Sequence, residues 1–284
     1  MILIKNGTLY DAVTPEAQRA DILVDDNGKI AAIGELPEVP GAEVIDASGL
    51  NIYPGFVEAH CHLGMHGYGI GFEGNDTNEM TDILTPQLRA IDGLNPMDPS
   101  VEHALKAGVT TVCTGPGSAN VLGGQFAIIK TAGRRVDDML VDPYAAMKCA
   151  FGENPKRCYG QGSKKAPMTR MGTAALLREL LFKTRRYMED KAAGKNPGFD
   201  MKLESMIPVL EGKIPLKAHA HRADDILTSI RIAKEFGVRI TLDHCTDGAL
   251  IAQELAQEGY PALVGPSFGK RSKEELQHKS FATP

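Results

Sequence analysis

The sequence predicts an α/β chain, a (β/α)8 TIM-like barrel lacking its last strand, preceded by a small N-terminal β-sandwich domain. Three observations predict it. Residues 1–52 hold short apolar runs parted by turn residues, with no helical spacing. From residue 52 onward apolar runs alternate with helical segments, the pattern of βα units on a parallel sheet. Histidines stand at the ends of three of those runs. The expected division is 1–52 for the β unit and 53–284 for the barrel.

In the first unit, Ile2-Leu3-Ile4 leads to an expected turn at Asn6-Gly7. Asp21-Ile22-Leu23-Val24 leads to Asp26-Asn27-Gly28, and Lys29-Ile30-Ala31-Ala32-Ile33-Gly34 follows. Apolar runs joined at Asn-Gly indicate hairpins. Pro37, Pro40 and Gly41 interrupt the chain before Glu43-Val44-Ile45-Asp46. In the barrel, strands are expected at 52–59, 109–113, 145–151, 216–220, 239–243 and 262–264. Helices are expected at 174–186, rich in Ala, Leu, Arg and Glu, and at 224–236. The latter carries Ile226, Ile230, Ala233 and Phe236 on one side and stops at Gly237, as a helix does at a residue free to turn left-handed. Residues 64–80 and the basic stretch 152–170 are expected as long loops.

Composition narrows the function. With 284 residues, 43% of them hydrophobic, the chain can bury a full core. A net charge of −5 argues against a nucleic-acid or anionic membrane partner, which selects a basic face. No apolar run reaches the length of a membrane span. The five cysteines form no CxxC, and Met1-Ile2-Leu3-Ile4-Lys5-Asn6 lacks the pattern of a signal peptide. A reduced, cytoplasmic setting is expected, with a small molecule as partner and homo-oligomerisation left open.

The chemistry lies in the histidines. His60 and His62 follow Pro54-Gly55-Phe56-Val57-Glu58-Ala59, His219 and His221 follow Pro215-Leu216-Lys217-Ala218, and His244 follows Ile240-Thr241-Leu242-Asp243. Residues i and i+2 of a strand share a face, so each HxH pair can reach one point inside a barrel. Imidazole suits Zn²⁺ and related ions, and barrel active sites lie at the C-terminal strand ends. One such histidine alone would be an ordinary buried side chain; three strand ends together indicate a site. The spacings place these histidines on strands one, five and six, with 262–266 as strand seven.

Pro54-Gly55-Phe56-Val57-Glu58-Ala59-His60-Cys61-His62, Lys217-Ala218-His219-Ala220-His221 and Leu242-Asp243-His244-Cys245 together resemble the strand motifs of the amidohydrolase superfamily. The group most resembled is the imidazolonepropionase-like amidohydrolases, which include prolidase-like members. The resemblance implies His60, His62, His219 and His244 as metal ligands; it fixes no role for His221, which is expected either behind the ligands or against the substrate, as a catalytic group supporting the carbonyl oxygen. It also implies a further ligand from the third or fourth strand. Met147-Lys148-Cys149-Ala150-Phe151-Gly152-Glu153 offers two candidates, Glu153 at the rim or a carbamylated Lys148. Zn²⁺, as one or two divalent ions, and hydrolysis of an amide, cyclic amide or dipeptide-like C–N bond follow from the same resemblance. The family's aspartate at the end of strand eight has no counterpart here, because no aspartate occurs between residues 265 and 284. A truncated chain with an incomplete β domain is therefore expected.

Two other readings compete: a metal-dependent phosphoesterase, and a catalytically inactive barrel that binds or regulates. Weaker signals are set aside. Gly69-Ile70-Gly71-Phe72-Glu73-Gly74 matches GxGxxG without a helix opening after it. Ser118 lacks GxSxG. Cys61 and Cys245 are assigned to packing outside the barrel, and His66, His103 and His278 are left as ordinary.

Overall fold

The computed structural model describes residues 1–69 and 71–284. The chain forms two compact units, Met1–Phe56 and Val57–Pro284.

The first unit is built on β1 (Ile2–Leu9), β2 (Gln18–Val24), β3 (Ile30–Gly34), β4 (Glu43–Asp46) and β5 (Asn51–Ile52). These make one mixed sheet rather than the expected sandwich: β1 pairs antiparallel with β2 and parallel with β4 and β5, and β2 pairs antiparallel with β3. Leu9, Ala20 and Ile22 are its buried core. The turn expected at Asn6-Gly7 is instead a bulge inside β1. Asn6 takes φ 65° where the register with β2 shifts, and its N–H donates to Asp21 Oδ1 at 2.8 Å. The Asp21 carboxylate satisfies the amide that the bulge releases from the ladder.

The second unit holds β6 (Phe56–Cys61), β7 (Val109–Thr114), β8 (Leu122–Lys130), β9 (Leu140–Ala150), β10 (Leu216–Ala220), β11 (Ile240–His244) and β12 (Ala262–Val264). They form a seven-stranded sheet in sequence order, and β9 through β12 are parallel. The histidine-bearing β6, β10 and β11 are its first, fifth and sixth strands and β12 the seventh, as the spacing predicts. Two expectations fail. The run at 52–59 is divided between β5 and β6 around Pro54-Gly55. And β8, whose Gly123-Gly124 reads as a turn in the sequence, is a nine-residue strand antiparallel to both neighbours, so the barrel is not a pure βα repeat. Gly124, at φ 125°, brings its backbone against that of Leu88, an approach open only to glycine.

Helices Arg170–Ala192, Met201–Leu210 and Ala223–Phe236 cover one face of the sheet. Leu177, Leu181, Met206, Ile226, Ile230 and Phe236 bury against Leu216, Ala218, Ala220, Ile240 and Leu242. Strand β10 is buried throughout: Leu216, Ala218 and Ala220 join that apolar layer, and alternation turns Lys217 and His219 the other way. Helix Ala223–Phe236 ends at Gly237, φ 69°, as expected. The basic stretch 152–170 is more regular than a loop, with a turn at Glu153–Pro155 and a π-helical segment at Lys156–Gly162. In 64–80 short 3-10 turns occur at Gly67–Gly69 and Phe72–Gly74. The GxGxxG match includes Ile70, which lies outside the described residues.

Candidate metal centre

Strands β10 and β11 lie in parallel register with Ala220 opposite His244 and His219 opposite Asp243. This brings His219, His221 and His244 together: each offers one ring nitrogen, and the three nitrogens lie within 4.8 Å of one another. Their ring centroids are 4.5 to 4.8 Å apart. His244 and Cys245 turn the chain sharply at the strand end, with φ of 75° and 48°. Left-handed backbone at such residues costs about 1–3 kcal/mol and persists where surrounding structure imposes it. Here Cys245 N–H donates to Ala220 O at 3.0 Å and Asp247 N–H to His221 O at 2.9 Å, which hold the turn.

The imidazoles are prepared as neutral donors. Burial pulls His221 down to about 2, His244 to about 3 and His62 to about 4, and lowers His219 and His60 as well. His62 Nδ1 lies 2.7 Å from Gly115 O and His244 Nδ1 lies 2.8 Å from Gly265 O. A carbonyl only accepts, so both Nδ1 atoms carry the proton and both Nε2 lone pairs are free. His221 Nδ1 is held by Thr246 Oγ1 at 2.7 Å. Orientation of a ligand ring through its second nitrogen is the usual support of a metal-binding histidine.

His60 and His62 lie beside this triplet, not within it. The His60 ring is 5.0 Å from that of His244 and 5.4 Å from that of His62, and it stacks on Phe126 at 5.6 Å. Its Nδ1 comes 3.0 Å from Asp243 Oδ2 without hydrogen-bond alignment, and its Nε2 lies 3.5 Å from Lys148 Nζ. Beneath it is a buried charge cluster. Asp243 sits 3.4 Å from Lys148 and 3.2 Å from Lys217, and no side chain of the three is more than 3% exposed. The Asp243 carboxyl is held well below its usual range despite burial, chiefly by the Lys148 ammonium. Burial in turn pushes Lys148 down.

Glu153 follows the C-terminal end of β9. One of its oxygens accepts the Glu275 N–H at 3.3 Å, and its own N–H donates to Glu275 Oε2 at 3.0 Å. Glu275 itself has a side chain with no exposure, and its Oε1 stands 3.8 Å from His219 Nε2 and 3.7 Å from His221 Nε2. Asn154 Nδ2 donates to Ser118 Oγ at 2.8 Å and lies 3.4 Å from His219 Nε2. Sequence reasoning missed Asp243, Asn154, Thr246 and Glu275. The position of Asp243, immediately before His244, is the one local signal among them.

The other histidines have local partners: His66 with Thr77 Oγ1 at 3.2 Å, His103 with the Tyr68 hydroxyl at 3.5 Å and His278 with Asp247 at 3.0 Å. Cys61 is partly exposed and directs its thiol to Cys113 O at 3.7 Å, while Cys245 is buried. A cavity of about 680 Å³ opens among Met65, Phe72, Asn78, Arg89 and Met201, and its lining contains none of the strand-end histidines. No helix among the described residues is long and apolar enough to cross a membrane.

A barrel-like sheet with neutral histidines converging at its strand ends defines the class of molecule, and comparison with known proteins agrees with it. The chain is 44% identical to an amidohydrolase of known structure from Thermotoga maritima MSB8, with a TM-score of 0.94 over 99% of this chain and 74% of that one. It is 33% identical over 277 residues to amidohydrolase tasK of Hapsidospora irregularis, which covers 86% of this chain and 28% of tasK. It is 25% identical over 265 residues to a dihydroorotase of Pelotomaculum thermopropionicum, 93% of this chain and 46% of that relative. The chain thus spans less than half the length of these two curated relatives. No protein-family model matches it. The chain belongs to the amidohydrolase superfamily.

Proposed function

We propose that this chain carries the metal centre of a metal-dependent hydrolase that cleaves the C–N bond of a cyclic amide with water. The observation that carries the reading is the convergence of His219, His221 and His244, two buried imidazoles and one partly buried, with donor atoms within 4.8 Å of one another. The donor chemistry fits a zinc-like divalent ion. His221, expected from the sequence behind the ligands or against the substrate, joins the donor set in this reading, with His60 and His62 flanking it. When bound, the ion supplies Lewis acidity that polarises an amide carbonyl and activates water.

The chain's own residues set up that chemistry. Gly265 and Thr246 fix the His244 and His221 rings through their Nδ1 atoms. Of the two further ligands implied by resemblance, Lys148 stands here as the ammonium partner of Asp243, and a carbamate on it would set a second anion beside that carboxylate. Glu153, at the strand end, accepts the Glu275 N–H, and Lys148 Nζ lies 3.5 Å from His60 Nε2; neither belongs to the histidine triplet. The substrate class is supported by the dihydroorotase relative, by its name an enzyme of a cyclic amide.

The test is elemental analysis of the purified chain and of its His219→Ala and His244→Ala variants, followed by a screen of lactams and cyclic ureides. One or two equivalents of divalent metal in the wild type, lost in the variants, are expected. A chain that takes up no metal after reconstitution would refute the reading.

A further inference from the structure

We infer that Glu275, from the segment after β12, is the carboxylate donor of the histidine centre; this rests on the metal-centre reading above. The argument begins with burial. A carboxylate with no exposed side-chain surface costs several kcal/mol unless cations or hydrogen-bond donors compensate it. Glu275 has both. Oε2 accepts the Glu153 N–H at 3.0 Å, and Oε1 lies 2.5 Å from the Lys273 ammonium.

The second oxygen also faces the histidines. Two donors on one tetrahedral ion, each about 2.0–2.2 Å from it, are separated by about 3.3–3.6 Å. Oε1 lies 3.8 Å from His219 Nε2 and 3.7 Å from His221 Nε2, so a contraction of a few tenths of an ångström brings it to coordination spacing with each of the two histidine nitrogens.

The surroundings hold the carboxylate there. Glu275 N–H donates to Glu153 Oε2, completing a reciprocal pair with the end of β9. Gly152 has φ 82°, and a Cβ built on it would lie 2.5 Å from Glu275 Oε2, so the glycine makes room for this oxygen. Lys273 also donates to Asn154 Oδ1 at 3.1 Å, and Asn154 reaches back to His219. A divalent ion at the histidines competes with Lys273 for Oε1. Glu275 and Lys273 therefore have opposite effects on metal affinity.

The experiment measures Zn²⁺ affinity by competition with a chromogenic chelator, and the visible absorption of the Co²⁺-loaded chain. It compares wild type, Glu275→Gln, Lys273→Met and His244→Ala, with thermal melts of each metal-free protein as the control for folding. Glu275→Gln is expected to weaken affinity by about 10–100-fold, the range seen when groups supporting a metal site are lost, and to shift the Co²⁺ bands. Lys273→Met is expected to tighten binding. If Glu275→Gln does not fold, Lys273→Met decides: tighter binding supports the assignment and unchanged or weaker binding overturns it. Unchanged affinity and spectrum in folded Glu275→Gln, with metal lost in His244→Ala, overturns the role of Glu275 alone. A wild type that binds no metal, or a His244→Ala variant that keeps full affinity, overturns the metal-centre reading itself.

Discussion

Replacing Asp243 with asparagine should destabilise the second unit more than almost any other single change of similar size. The side chain is fully buried and faces two ammonium groups, Lys148 at 3.4 Å and Lys217 at 3.2 Å. At these separations and an effective dielectric constant near 20, each pair is worth about 5 kcal/mol in gross attraction, most of it spent on desolvation. Removing the carboxylate leaves that desolvation cost without its compensation. Breaking one buried pair in this way typically costs about 3–5 kcal/mol. Asparagine is nearly isosteric, so cavity terms are small and the loss is electrostatic. For a unit of this size the expected drop in Tm is about 6–20 °C. The assay is thermal unfolding followed by circular dichroism in the presence of a chelator, so that metal binding does not contribute. The double variant Asp243→Asn/Lys217→Met should recover part of the loss, because it removes one of the stranded charges together with its partner. An Asp243→Asn variant that melts within about 2 °C of wild type would refute the argument, since less than about 1 kcal/mol would then be at stake.

Two further outcomes are expected. The Asp21 carboxyl is lowered from its usual value, first by the Asn6 N–H and then by the Leu36 N–H it accepts. A depressed carboxylate contributes stability that is present above its unfolded pKa of about 3.9 and is lost as pH falls through its folded value. Asp21→Asn should therefore flatten the acid limb of the stability curve in the β unit, read as the pH dependence of amide exchange at Asn6 and Leu36; an unchanged limb would count against it. Gly152→Ala meets both a left-handed backbone and the Glu275 carboxylate, and should cost about 1–3 kcal/mol by thermal melt. A neutral result would mean that the turn relaxes freely.

Much of the barrel is legible in the chain because its signals are local. Helix Ala223–Phe236 shows its apolar face at Ile226, Ile230, Ala233 and Phe236, all four buried, and its stop at Gly237. The strand-end histidines are legible because alternation along β10 sends Lys217 and His219 away from the apolar layer formed by Leu216, Ala218 and Ala220. The antiparallel β8 was not legible, because Gly123-Gly124 carries a turn signature and only tertiary pairing with β7 and β9 holds it extended. Nor was the bulge at Asn6, which depends on a carboxylate 15 residues away.

For this protein, the sequence by itself determined most of the strands, the helix Ala223–Phe236 and which histidines stand at strand ends, since periods of 2 and 3.6 residues are properties of a few neighbouring positions. The tertiary structure decided which donors share a point in space. Alternation assigns a side chain to a face without setting its depth, so it could not separate His221, within the donor triplet, from His60, beside it over Lys148 and Asp243. Glu275 reaches the site through contacts 122 residues apart with Glu153, and no local pattern records an approach that only the closing of the chain creates.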